Sequence, residues 1–315
     1  MISRRTALVG LAGLTAASPV LAKAPLARQQ VAQAYRLRVG RFEVIALGDG
    51  YLDIPPSLFP EADSDTVDDL ARRSFLKPGP IPTAVNAFAV NTGEKLYLVD
   101  AGCGGVRGPA LGHLTDSLRA VGLDPAQVDA VLMTHLHIDH AAGLRTASGA
   151  AAFPNAELLV AEAEKTFWFD PGLPSRASAM MQPMISNAAA SLAPYASRTT
   201  LFTPGREIAP GITCVPLPGH TPGHTGFLIE SDGESLLIWG DIIHVGAYQF
   251  PRPDLSIAFD VDMQTAAATR LRMFEQAVSE RILIAGMHVS FPGLGHVVRD
   301  GKGFAFAPLA WQPLA

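Results

Sequence analysis

Apolar and polar residues alternate over 35–54, first in Tyr35-Arg36-Leu37-Arg38-Val39 and again from Phe42 to Leu47. A period of two puts one set of side chains on a buried face, so the stretch predicts a β-hairpin or strand pair. Residues 55–82 are proline-rich and polar, with a short helix at 66–75. Strands resume at 84–90, turn at Asn91-Thr92-Gly93 and return at 95–100. Leu111, Leu114, Leu118 and Val121 have helical spacing, which predicts a helix over 111–120 that Gly122 ends. The apolar run Ala130-Val131-Leu132-Met133 reads as a buried strand over 129–133.

The second half repeats this plan. Strands at 227–230 and 235–240 flank the turn Ser231-Asp232-Gly233-Glu234, a helix covers 263–279, and a strand follows at 281–285. Asp241 closes the second hairpin as Asp100 closes the first. Hairpin, acid, helix, strand and histidine thus occur twice, which predicts an α/β (α+β) chain of two stacked β-rich halves with outer helices. Between the halves, 158–161 is a strand and 162–169 a helix carrying Trp168. Residues 171–198 are rich in Pro, Ser and Met around a helical patch at 177–192. They form either a lid or an ordinary surface helix with Met180, Met181 and Met184 as core filler.

Composition narrows the picture. Of 315 residues 48% are hydrophobic and 17% charged, enough to bury a core. A net charge of −5 without a basic run offers nothing to nucleic acid or to an anionic membrane. Cys103 and Cys214 have no metal-binding spacing, and they pair only if the fold brings them together. Residues 1–22 read as an export signal: Ser3-Arg4-Arg5-Thr6-Ala7-Leu8 is like a twin-arginine motif, followed by a mildly apolar run and Val20-Leu21-Ala22. That run is too short to span a bilayer. The expected location is therefore the periplasm or the cell exterior, without stable membrane anchoring.

The chemistry centres on Thr134-His135-Leu136-His137-Ile138-Asp139-His140, which leaves the buried strand and runs into Ala141-Ala142-Gly143. Three imidazoles and a carboxylate there would be costly if unpaired, and N and O donors at this spacing suit a metal. Side chains alternate at a strand end, so His135 and His137 point the same way, and the following turn swings Asp139 and His140 toward a second point.

This motif resembles the signature of the metallo-β-lactamase-fold hydrolases. Their further ligands are matched by His220 in Pro218-Gly219-His220-Thr221-Pro222-Gly223-His224, Asp241 in Trp239-Gly240-Asp241, and His288 in Ala285-Gly286-Met287-His288. Gly40-Arg41-Phe42-Glu43-Val44-Ile45-Ala46-Leu47, the Val90-Asn91-Thr92-Gly93 hairpin and Ser290-Phe291-Pro292-Gly293-Leu294-Gly295-His296 are similar to the methyl parathion hydrolase branch. The resemblance implies an αββα sandwich of two pseudo-repeated halves, forming one catalytic domain over 23–315. It implies secreted dizinc enzymes acting on lactones, aryl esters and phosphotriesters, and a homodimer. It also implies two metals bridged by Asp241 and a water or hydroxide, one held by His135, His137 and His220, the other by Asp139, His140 and His288. Zinc is the default, with manganese, cobalt or iron as competitors. His137 favours zinc, because iron-type relatives carry Glu there.

The expected reaction is lactone opening by a metal-bridging hydroxide, with aryl-ester or phosphotriester hydrolysis as a side activity. The alternatives are a phosphotriesterase, a β-lactamase, or a metal- or ligand-binding module without catalysis. Asp139 doubles as proton acceptor or donor. His244, three residues past Asp241, stands near where some lactonases of this fold place a tyrosine that polarises the carbonyl; it either hydrogen-bonds the carbonyl oxygen or leaving group or is a solvated loop histidine. Trp168, Ile257 and Phe259 are expected to line the substrate pocket. Arg107 stands where a phosphotriesterase-like relative has an aromatic residue. Asp100 is expected to orient a ligand histidine, His224 and His296 to be structural, and His113 to lie on the surface.

Overall fold

The computed structural model describes residues 26, 27 and 30–314. The export signal read in residues 1–22 lies outside them. β1 (Ala34–Val39) and β2 (Phe42–Ile54) form the expected antiparallel pair. β3 (Ile81–Asn91), β4 (Leu96–Val99), β5 (Ala130–Leu132), β6 (Glu157–Ala161) and β7 (Thr199–Phe202) complete a seven-stranded sheet in chain order. A second seven-stranded sheet contains β8 (Glu207–Ala209), β9 (Ile212–Pro216), β10 (Thr225–Ser231), β11 (Glu234–Ile238), β12 (Leu283–Ala285), β13 (Leu294–Asp300) and β14 (Gly303–Pro308). The helices are α1 (Ser64–Arg73), α2 (Leu114–Ala120), α3 (Ile138–Ala141), α4 (Glu162–Trp168), α5 (Leu173–Arg176), α6 (Gln182–Leu192), α7 (Gly246–Gln249) and α8 (Met263–Glu280).

Alternation along the strands sorts their side chains into layers. Val44, Phe88, Val90, Tyr97, Val99 and Leu132 meet Ile212, Phe227, Ile229, Leu236 and Ile238 between the sheets. Their neighbours Ile45, Leu47, Ala87, Ala89, Leu98 and Val131 face the other way, onto Leu114, Leu118, Trp168, Ala188 and Leu192 of the first helical layer. Leu237, Trp239 and Ile284 pack on Met273, Phe274 and Ala277 of α8. Helix, sheet, sheet, helix is the resulting order, the αββα sandwich. A smaller cluster joins Ile54, Phe59, Val67 and Leu70 to Tyr248, Leu255 and Ile257.

The repeat is visible in the ladders. β3 and β4 are antiparallel and β5 runs parallel to β4; β10 and β11 are antiparallel and β12 runs parallel to β11. The β4–β5 crossover passes through α2 and the β11–β12 crossover through α8, so both halves deliver polar residues at the same ends of their central strands.

Two details differ from expectation. α2 begins at Leu114, not 111, because the buried Asp49 carboxylate accepts the N–H groups of Cys103, Gly112 and Leu114 and holds the preceding turn, where Gly112 has φ +88°. His113 is exposed just before that helix. β7, β8, β9, β13 and β14 carry no strand prediction, and in β7, β8, β13 and β14 the burial pattern shows no clean period of two. The two cysteines are free, Cys103 in the helix-side core and Cys214 between the sheets. No helix among the described residues is long and apolar enough to cross a membrane.

Candidate metal centre

β5 ends and the chain delivers His135 and His137; α3 then carries Asp139 and His140. His220 follows β9, Asp241 follows β11 and His288 follows β12. Donor atoms of His135, His137, His220 and Asp241 all lie within 4.8 Å of one another, as do those of Asp139, His140 and His288. Asp241 Oδ2 is the common point, 3.6 Å from His135 Nε2, 3.3 Å from His140 and His220, and 3.2 Å from His288. Asp139 Oδ2 lies 3.6 Å from His140 Nε2 and 3.4 Å from His288 Nε2.

The far sides of four of the five ligand rings are tied down. Nδ1 of His140 donates to Asp100 Oδ2 and that of His220 to Asp260 Oδ1, both at 2.7 Å, and His288 Nδ1 donates to Ala84 O at 2.8 Å. The Thr134 hydroxyl gives its proton to Asp100 Oδ2 at 2.7 Å and accepts from His135 Nδ1 at 3.0 Å. Partners that only accept keep the proton on Nδ1 and turn the Nε2 lone pairs inward. Those inward atoms have nowhere else to go. Nε2 of His135, His137, His140 and His220 and Oδ1 of Asp241 are buried with no hydrogen-bond partner. Each such orphan costs on the order of 1–3 kcal/mol, which a bound cation removes. The donor set therefore fits metal ions.

Electrostatics divide the ligand histidines. Burial pushes the imidazoles of His135 and His137 well below their usual range, so they are neutral. Burial also lowers His140, His220 and His288, but Asp241 and the carboxylates beside them outweigh it and raise all three, His220 to about 9, so a cation entering the site displaces protons from these rings. Burial alone raises Asp241, but His140, His288 and His135 around it hold its carboxyl well below the carboxylate range. His224 buttresses this carboxylate: Nδ1 donates to Leu217 O at 2.8 Å and Nε2 accepts Asp241 N at 2.9 Å, with burial lowering its pKa to about 3. Gly240 makes that possible. Its φ is +59°, and a Cβ would meet His224 Nε2 at 2.3 Å. His296 Nδ1 donates to Ile282 O at 3.1 Å, outside the site.

A cavity of about 220 Å³ opens above Asp139, Asp241 and His288, walled by Leu52, Leu58, Met184 and Phe259, with Arg107 also lining it. Two expected pocket residues do not line it. Trp168 is buried behind His137, ring edge to face at 5.4 Å, with Nε1 donating to Glu164. Ile257 is fully buried among Leu255 and Tyr248. His244 does line the cavity: Nε2 is 3.2 Å from Asp241 Oδ2, its ring stacks on His288, and burial lowers its pKa to about 4. Asp241, His244 and His288 form a third group able to hold a metal. From the 171–198 segment, α6 packs Ala188 and Leu192 into the core while Met184 reaches the cavity wall. Asp260 and Glu164 were not legible as site residues, since neither sits in a histidine motif.

Residues 80–288 match the family model of the Metallo-beta-lactamase superfamily. The chain belongs to that superfamily. Among solved structures, the hydrolase AbOPH in the beta lactamase superfamily is similar at 34% identity and a TM-score of 0.85, over 90% of this chain and 100% of that one. AidC, a dizinc quorum-quenching lactonase solved with a product, is similar at 25% identity and a TM-score of 0.83, over 90% and 99%. N-acyl homoserine lactonases of Bacillus cereus and of a Bacillus species are 22% and 27% identical over 61% and 38% of this chain. The matched region spans 64% and 40% of those two relatives' lengths.

Proposed function

We propose that this superfamily member is a metal-dependent hydrolase that opens lactones, with two zinc ions as its cofactor and aryl-ester or phosphotriester hydrolysis as a side activity. One observation carries the reading: four partnerless imidazole nitrogens converge with the Asp241 carboxylate beneath a cavity of about 220 Å³. His135, His137 and His220 would hold one ion, Asp139, His140 and His288 the other, and Asp241 both. Bound there, the ions would polarise a carbonyl and make water nucleophilic near neutral pH.

The chain's own residues supply the rest. Asp139 keeps a side-chain exposure of 19% at the cavity floor, so it can take the proton of the attacking water and return it to the leaving alkoxide. His244 stands beside Asp241 where the carbonyl oxygen gains charge, and the mostly apolar wall of Leu52, Leu58, Met184 and Phe259 accepts an acyl or aryl group. AidC is a lactonase and the Bacillus relatives are N-acyl homoserine lactonases, which supports a lactone over a β-lactam.

The test is elemental analysis combined with turnover of an acylated lactone, a paraoxon-type triester and a cephalosporin. About two zinc ions per chain and the fastest turnover on the lactone are expected. Cephalosporin turnover exceeding the other two would overturn the substrate assignment, and metal uptake without turnover of any of them would make the protein a binding module.

A further inference from the structure

Glu164 is a buried carboxylate that the chemistry above does not use. It lies on α4, 1% exposed. Oε1 accepts from Leu136 N at 2.9 Å and from Trp168 Nε1 at 2.6 Å. Oε2 accepts from Thr221 Oγ1 at 2.6 Å and from Gly223 N at 3.2 Å. Leu136 stands between His135 and His137, and the Trp168 ring backs His137. Thr221 and Gly223 directly follow His220. One oxygen thus serves the segment carrying His135 and His137, the other the segment carrying His220.

A second observation concerns the contact itself. A Cβ at Gly223 would meet Glu164 N at 2.2 Å, so the first turn of α4 lies directly on the His220 loop. Helix backbone and carboxylate together set the spacing of two segments that are far apart in sequence. Other buried groups brace the second position: Asp100 accepts from His140 Nδ1 and from Thr134, and Asn86 Nδ2 donates to Gly286 O and Val289 O on either side of His288, whose Nδ1 donates to Ala84 O.

We propose that Glu164 is a positioning residue for one metal position only. It holds the His135–His137 and His220 segments at the separation their three Nε2 atoms need, and leaves the Asp139–His140–His288 position unaffected. The proposal rests on the two-metal reading above.

Glu164→Gln is the informative variant. Its amide keeps one acceptor oxygen but sets an NH2 group against donors on the other side. Thr221 can rotate to accept from it, while the Gly223 N–H loses its partner. A backbone bond from Thr225 N to Thr134 O, 2.9 Å, still joins the same segments. The experiment is stepwise zinc titration of the metal-free full chain against a competing chelator, repeated with cobalt for its d–d absorption. The melting midpoint of the metal-free protein is read alongside. His220→Ala and His288→Ala identify which step belongs to which position.

In Glu164→Gln the step missing from His220→Ala should weaken about 10- to 100-fold, the usual effect of losing a residue that orients ligands. The step missing from His288→Ala should stay near wild type, while the metal-free midpoint falls by only the few degrees that one unpartnered Gly223 N–H accounts for. Equal weakening of both steps would reduce Glu164 to a general structural role and overturn the proposal, as would no change in either step. If wild type binds a single zinc per chain in one step, the two-metal reading fails. The coupling then stands or falls on whether that step is the His220 one and weakens in Glu164→Gln. Should Glu164→Gln not fold, Thr221→Val removes one Oε2 donor and should weaken the same step selectively.

Discussion

Five imidazole Nε2 atoms lie 3.2–3.6 Å from Asp241 Oδ2, so substitutions around this oxygen separate roles sharply. Asp241→Asn removes the charge common to both positions, and elemental analysis should show both ions depleted together. Full occupancy and unchanged rate would remove Asp241 from the bridge. His244 is the test of substrate preference. A donor beside a developing oxyanion is worth up to roughly 3–4 kcal/mol when it acts alone. Here metal ions share that charge, so His244→Leu should cost about 1–2 kcal/mol, roughly a five- to thirty-fold fall in lactone kcat/KM. The same change puts an apolar group into the cavity that Phe259 also lines, so phosphotriester turnover should rise; elemental analysis of the variant separates this from loss of an ion, since His244 can also join Asp241 and His288 in holding one. Measuring kcat/KM for both substrates decides the matter, since parallel changes would show that His244 does not discriminate between them.

Among the elements, two helix starts depend on single carboxylates. Asp49 accepts three backbone N–H groups from the turn before α2 and is fully buried. Asp49→Ala should destabilise by about 2–4 kcal/mol, because water cannot reach all three donors, and Asp49→Asn by less. Urea unfolding of both variants reads this; equal losses would mean that the bonds to one oxygen contribute nothing. Asp262 caps α8, accepting Thr265 N at 2.9 Å and its hydroxyl at 2.7 Å, and these bonds hold its carboxyl below the usual value of 3.8. A folded pKa below the unfolded one adds stability that is present above about pH 4 and is lost as pH falls through the folded value. Asp262→Asn should therefore lose less stability than wild type between about pH 5 and pH 3, read as the urea midpoint. Identical slopes would assign the acid sensitivity to other groups.

For the molecule as a whole, both sheets supply ligands, so metal binding is linked to folding. Any ligand that binds only the folded state stabilises it, by about 2.7 kcal/mol per site at a hundred times its Kd. Chelation should lower the melting midpoint by several degrees, and zinc should restore it. An unchanged midpoint would mean that the two sheets hold the site without help from the ions. Burying the Nε2 lone pairs without partners makes the opposite the expected result.

Much of this was legible in the chain because it is encoded locally. Alternation over 35–54 and the helical spacing of Leu114 and Leu118 specify faces, and faces specify layers. All seven ligand candidates carry chemistry that a core excludes, so their types and their places after strands mark them without coordinates. Tertiary structure decided what depends on contact across the fold. Trp168 went behind His137 and Ile257 into the α1–α7 cluster, because helix packing, not hydrophobicity, selects which apolar side chain faces the cavity. Asp260 meets His220 across 40 positions, and Glu164 meets Leu136 across 28 and Thr221 across 57. An isolated carboxylate has no periodicity or spacing of its own, so its role exists only once folding brings the donors to it.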